Sequence, residues 1–122
     1  MGRVVHFDIN SEEPKKTIDF YKKIFDWKFT KWEGPMDYWL ITTGEKTDQG
    51  IDGGLSKKGE TAPPKCPTID VNDLDKTMTM IEEHGGKLTS PKMPVPGVGW
   101  LTYFKDPDGN MFGAMQEDTT AK

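Results

Sequence analysis

A single cysteine, Cys66, stands among 122 residues. One thiol cannot close an internal disulfide, so a disulfide-stapled secreted scaffold is excluded and a reducing, cytoplasmic setting is expected. Basic charge is not in excess either: 16 lysines and arginines face 20 aspartates and glutamates, for a net charge of −4 and a pI near 5.1. A phosphate-binding surface must outcompete counterions, so no nucleic-acid partner is expected. Long apolar runs are missing, and MGRVVHFDIN turns strand-like at once, so neither a secretory leader nor a membrane anchor is expected. The sequence also has no G-x-G-x-x-G, no G-x-S-x-G and no C-x-x-C, which removes the common nucleotide-cradling, nucleophile-elbow and dithiol chemistries. The carboxylate pairs Glu12-Glu13 and Glu82-Glu83 are sequence neighbours at helices and read as solvated charges.

What is present is the composition of one soluble domain, 34% hydrophobic and 30% charged, with a modest core. From Arg3 to Asn10, Val5, Phe7 and Ile9 alternate with Val4, His6, Asp8 and Asn10, giving a strand with one oily and one mostly polar face. Ser11-Glu12-Glu13-Pro14 supplies a helix start, and Thr17, Tyr21, Ile24 and Phe25 follow at helical spacing to an end near Asp26. Strand-like runs follow at Trp27–Trp32, Tyr38–Thr43 and Ile51–Leu55, joined by Gly34-Pro35 and the polar stretch Glu45–Gln49. GETAPP, Gly59–Pro64, reads as a linker.

The stretch Val95–Gln116 reads as a β-hairpin around Asp106-Pro107-Asp108-Gly109. Pairing Lys105 with Asn110 across a four-residue loop puts Trp100, Thr102, Phe104, Met111, Gly113 and Met115 on one face, and Leu101, Tyr103, Phe112 and Ala114 on the other. Both faces are largely apolar, so each should be covered.

The second half repeats the first. An offset of 60 sets His6 on Cys66, Ile9 on Ile69, Glu13 on Asp73, Lys16-Thr17 on Lys76-Thr77 and Gly53 on Gly113, and one more residue sets Trp39-Leu40 on Trp100-Leu101. Two β-α-β-β-β modules are the simplest reading. They span residues 3–58 and 66–116, with a linker at 59–65 and a tail at 117–122; the second helix starts at Asp73 and stops at Gly85-Gly86.

HFDINSEEPKKTIDFYKKIFDWKF, IDVNDLDKT with IEEHGGKL, and KDPDGNMFG together resemble the vicinal-oxygen-chelate superfamily, which includes glyoxalase I, bleomycin-resistance proteins and extradiol dioxygenases. PGVGW, Pro96–Trp100, is similar to a glyoxalase-related subgroup. The resemblance implies an α+β fold in which two paired βαβββ modules form an open, U-shaped barrel around a small-molecule site, as a single domain over 1–122 and a homodimer.

In the metal-dependent members the resemblance implies four ligands, from the first and last strands of each module. Here those positions carry His6, Cys66, Gly53-Gly54 and Gly113. Two are empty, while a tight Zn, Ni, Fe or Mn site needs about three or four protein ligands. His6 and Cys66 are the weak metal candidates; their plainer readings are a hydrogen-bonded pocket histidine and a buried small hydrophobe. His84 reads as a solvated residue at a helix end. The expected ligand-binding residues are His6, Asp8, Trp39, Cys66, Thr68, Trp100, Thr102, Met111, Gly113 and Met115, with the tryptophans and methionines as an adaptable lining. Two functions stay open: a metal-independent binder of an apolar or aromatic molecule, of the bleomycin-resistance kind, and a glyoxalase I-like lyase or dioxygenase with an atypical metal shell. Ligand count favours the first.

Overall fold

The computed structural model describes residues 2–34, 36–59 and 63–122. The central part of the linker expected at 59–65, and Pro35 of the first connector, lie outside the described residues. Two compact units divide the chain: residues 6–65, called here the first unit, and residues 66–122 joined by the segment up to Val5, the second. Val4 and Val5 thus group with the second half, and the Asp70 N–H donates to the Arg3 carbonyl at 2.9 Å.

The first unit is a β-α-β-β-β module. β1 (Val4–Ser11) is followed by α1 (Pro14–Phe25), β2 (Lys28–Lys31), β3 (Tyr38–Thr42) and β4 (Asp52–Lys57). Pro14 starts the helix where its missing N–H costs nothing. Asp26 ends it at φ 60°, its N–H donating to the Lys22 carbonyl at 3.1 Å, while Lys22 and Lys23 face the negative end of the helix dipole. β1 runs parallel to β4, with Asp8 beside Gly54; β3 runs antiparallel to β4 and β2 to β3. Phe7 leads to Trp27, on which Tyr21 of α1 stacks at 4.7 Å and 6°, so the Phe7 face is the helix side. Ile41 and Leu55 share its parity and are fully buried.

The second unit repeats the pattern with β5 (Pro67–Asp70), α2 (Leu74–Glu83), β6 (Lys87–Leu88), β7 (Met93–Val95), β8 (Gly99–Lys105) and β9 (Met111–Glu117). Asp73 caps α2, its carboxylate accepting from the Lys76 N–H at 3.0 Å, and Gly85 follows the helix at φ +91°. β5 is parallel to β9, and β9 antiparallel to β8. Beyond the expected strands, β7 shares an edge of β8 with β6. Between these two short strands Ser90 stands in for the ladder: its Oγ accepts from the Tyr103 N–H at 3.0 Å and its carbonyl accepts from the Thr102 hydroxyl at 3.0 Å. Elements of both kinds, separated along each module, make this an α+β fold.

The hairpin register differs by one residue from expectation. Lys105 pairs with Met111, and Tyr103 with Gly113. The turn uses a three-residue loop, Pro107–Gly109, flanked by Asp106 and Asn110, with Gly109 at φ +88°. Asp106 fixes it by accepting from the Asp108 and Asn110 N–H groups, both at 2.9 Å, and from the Asn110 amide at 2.8 Å. A one-residue slip exchanges the faces of one strand against the other. Trp100, Thr102 and Phe104 therefore lie with Phe112 and Ala114, while Met111, Gly113 and Met115 lie with Leu101 and Tyr103.

Candidate functional site

Alternation along β1 sends His6, Asp8 and Asn10 to the sheet face away from α1. The ladders add Gly54 and Ser56 from β4, and Tyr38 and Leu40 from β3. Asp8 is only 7% exposed. A buried carboxylate needs partners, and it has them: the Tyr38 hydroxyl donates to Asp8 Oδ1 at 2.8 Å, and His6 Nε2 lies 3.4 Å from Asp8 Oδ2 and 3.4 Å from the Tyr38 oxygen. The His6 side chain keeps 34% of its surface exposed, so this polar cluster reaches solvent. The Trp32 ring meets Tyr38 edge-on at 6.1 Å, and Leu40, on the same face, is 46% exposed.

Gly54 explains how Tyr38 reaches Asp8: a Cβ at residue 54 would overlap the Tyr38 phenol. Gly53, by contrast, points to the helix side, where a Cβ would overlap Phe7. The ladders correct the repeat here. Asp8 pairs with Gly54 as Thr68 pairs with Gly113, so Gly54 rather than Gly53 corresponds to Gly113.

In the second unit, the face away from α2 carries Thr68, Met111, Gly113 and Met115 with Leu101 and Tyr103, and β5 alternation gives Cys66 the same parity. Cys66 and Thr68 are buried. A Cβ on Gly113 would lie 3.1 Å from Thr68 Oγ1, 3.3 Å from Tyr103 and 3.4 Å from Leu101, all side-chain atoms.

Three expected lining residues lie on the helix sides instead. Trp39 shares parity with the buried Ile41, and Lys31 Nζ sits 5.2 Å from its ring centroid. Trp100 donates its indole N–H to Asp118 at 3.1 Å, and Lys92, bridged to Asp75 of α2 at 3.1 Å, sits 5.0 Å from its ring. Thr102 is fully buried and bonded to Ser90. Nor are the two tryptophans equivalent: Trp39 pairs with Leu55 as Thr102 pairs with Ala114. The cause for Trp100 and Thr102 is the turn, which shifts β9 against β8; for Trp39 it is the alternation of β3, in which Tyr38 takes the face of His6 and Asp8. Tyr38 and Trp32 are the residues that sequence reasoning missed; the signal was the glycine at 54 on that face, which leaves space only a long neighbouring side chain fills.

Two carboxylates titrate low for local reasons outside these faces. Asp118 is held below the usual range by the Thr120 hydroxyl, then the Thr120 N–H and the Trp100 indole; Asp106 by the Asn110 side chain and the turn N–H groups. His84 caps α2 and is exposed, its N–H donating to the Met80 carbonyl at 3.0 Å.

The residues do not fit the metal shell that the family resemblance implies. The first unit offers His6 and Asp8, with Gly54 at the last-strand position and the Tyr38 phenol in its place; the second offers Cys66 and Thr68, with Gly113. Among the described residues no three His, Cys, Asp or Glu side chains gather as a metal-holding group. Among them, too, no helix is long and apolar enough to cross a membrane.

No curated protein matches the sequence. Solved structures do match in fold. A hypothetical protein from Bacillus halodurans C-125 aligns over 99% of this chain and 98% of its own, at 16% identity and TM-score 0.72. Methylmalonyl-CoA epimerase from Mycobacterium tuberculosis covers 96% of this chain and 88% of its own at 12% identity and TM-score 0.72. A Streptomyces coelicolor methylmalonyl-CoA epimerase variant in complex with 2-nitronate-propionyl-CoA covers 100% and 99% at 14% identity and TM-score 0.69. These likenesses are of fold, and the sequence pattern agrees with them: with residues 3–113 matching it, the chain belongs to the Glyoxalase/Bleomycin resistance protein/Dioxygenase superfamily.

Proposed function

We propose that this protein binds a small apolar or aromatic molecule against the sheet face that carries His6, Asp8 and Tyr38, without a four-ligand metal centre. The convergence of Tyr38, Asp8 and His6 within 2.8 to 3.4 Å, beside Trp32 and the half-exposed Leu40, carries the reading. A few fixed polar groups on an apolar wall are what orients a small ligand. The imidazole edge offers the ligand one donor or acceptor, and the buried carboxylate, held by the phenol, keeps that ring in place. Met111 and Met115, flanking Gly113 on the corresponding face of the second unit, supply polarizable surface for the same ligand class. A cytoplasmic homodimer completes the reading, supported by the lone cysteine and by superfamily membership.

A second reading, a metal-dependent glyoxalase I-like lyase or dioxygenase, has one observation in its favour: His6 Nε2 and Asp8 Oδ2 lie 3.4 Å apart on one face. Two donors fall short of the three or so that Zn, Ni, Fe or Mn needs. The epimerases among the structural neighbours, at 12 and 14% identity, lend the fold and not their reaction.

Titration of metal-free protein with 2-naphthol, followed by amide chemical shifts, tests the first reading. Shifts at Asp8, Tyr38 and Gly54, weakened roughly tenfold in Tyr38→Phe by the loss of a fixed hydrogen bond, are expected. Shifts elsewhere, or none at millimolar probe, overturn it.

A further inference from the structure

α1 has no buried residue. Phe20, on the flank of the helix, is 53% exposed, and beside it lies a cavity of about 470 Å³ whose lining includes none of His6, Asp8 or Tyr38. It is a shallow groove open to solvent, with room for a small molecule to lie along it. The apolar wall is Phe20, Tyr21 and Ile9. Tyr21 is fixed there by its stack on Trp27 at 4.7 Å, and Phe20 meets it edge-on at 5.1 Å, so the wall is aromatic and ordered before anything binds.

The polar groups of the rim sort into committed and uncommitted ones. Thr17 Oγ1 is bonded to Ser11 Oγ at 2.7 Å, and the Asn10 amide turns to the opposite sheet face, to Ser56 Oγ at 3.0 Å. With its amide turned to face its neighbours, Asn10 also donates to the Pro63 carbonyl at 3.2 Å. Lys16 and Lys65 remain. Lys16 bridges Glu13 at 3.1 Å but keeps further N–H donors, and Lys65 makes no ion pair among the described residues. Along residues 12–26 the charges balance, Lys15, Lys16, Lys22 and Lys23 against Glu12, Glu13, Asp19 and Asp26, so Lys65 is the rim cation that the helix does not offset.

We propose that this groove is a second binding site, for a small monocarboxylate that carries an aromatic ring. The ring packs on Phe20 and Tyr21; the carboxylate takes Lys65 as its main partner and Lys16 as a second donor. The occupant is an anion because Lys65, the rim group without an ion pair among the described residues, is an ammonium donor. It is aromatic because the wall presents ring faces and edges rather than a flat aliphatic surface.

Amide-shift titration of the full chain with phenylacetate tests this, with phenylacetamide as the neutral isostere and acetate as the ringless anion. Saturable shifts at Ile9, Thr17, Phe20 and Lys65 are expected, with phenylacetamide and acetate each at least about fivefold weaker. Lys65→Gln should weaken phenylacetate roughly threefold to fivefold and Phe20→Ser by about tenfold. Both side chains are exposed, and unchanged shifts elsewhere in the variants certify the fold. Equal binding of the amide, insensitivity to both substitutions, or shifts confined to Asp8, Tyr38 and Gly54 would each overturn the assignment.

Discussion

Tyr38 places its phenol in the volume that a side chain on Gly54 would occupy, and from there donates to Asp8 at 2.8 Å. The absence of one side chain and the reach of another are a single structural fact. Replacing Gly54 by Ala must move the ring, so the hydrogen bond to a carboxylate that is 7% exposed goes with it.

Gly54→Ala is therefore expected to destabilise the fold by about 1–3 kcal/mol, from overpacking and a stranded carboxylate. Tyr38→Leu in the same chain frees the volume, so the double variant should lose less than the sum of the singles. Urea unfolding of the four proteins measures the coupling; strict additivity would mean the two residues do not compete for space.

Gly113 is the tolerant counterpart. Its would-be Cβ contacts lie at 3.1 to 3.4 Å and all end on side chains, so Gly113→Ala should cost under about 1.5 kcal/mol. Gly113→Glu, by contrast, sets an unpaired charge against Thr68, Leu101 and Tyr103. It should destabilise the fold by an amount on the order of a few kcal/mol, read by urea unfolding. Unaltered stability would mean that the new carboxylate reaches solvent from this face.

Micromolar Ni, Zn or Co should leave the melting temperature nearly unchanged, because a ligand stabilises the native state only through a site that prefers it. A stabilisation of several kcal/mol that disappears in His6→Ala would bring the metalloenzyme reading forward.

How much of this was legible in the sequence depended on which interactions set it. The modules, helix limits and turn location follow from local chemistry: Pro14 opens α1, Asp26 and Gly85 close the helices, and β1 alternates as written. Faces were harder. The DPDGN turn admits loops differing by one residue, and only the Asp106–Asn110 bonding selects the register that sends Trp100 toward Lys92 and Asp118. The partner of Asp8 was hidden because the Tyr38–Asp8 contact spans 30 positions and depends on an absent side chain at residue 54.

Acid should act partly through the turn and the tail. The Asn110 side chain holds the Asp106 carboxyl, and the Thr120 hydroxyl the Asp118 carboxyl, below the ordinary aspartate range in the fold. A depressed folded pKa contributes stability in full above the unfolded value, about 3.9, and loses it as pH falls through the folded value. Asp106→Asn and Asp118→Asn should each lower the denaturation midpoint at neutral pH and converge on the parent below about pH 4, which flattens the acid fall. An unchanged acid slope in both would place the acid sensitivity elsewhere.

The interruption at Ser90 bears on how the protein behaves when crowded with its own copies. An outer edge of β8 left to one long strand would offer a neighbour an unbroken row of amides to copy, the usual seed of intermolecular sheet growth. Here the edge is divided between a two-residue and a three-residue strand, with Ser90 satisfying the Tyr103 amide between them and Pro94 lacking a donor within the three-residue strand. The same serine that closes a local gap thereby denies a fibril its template.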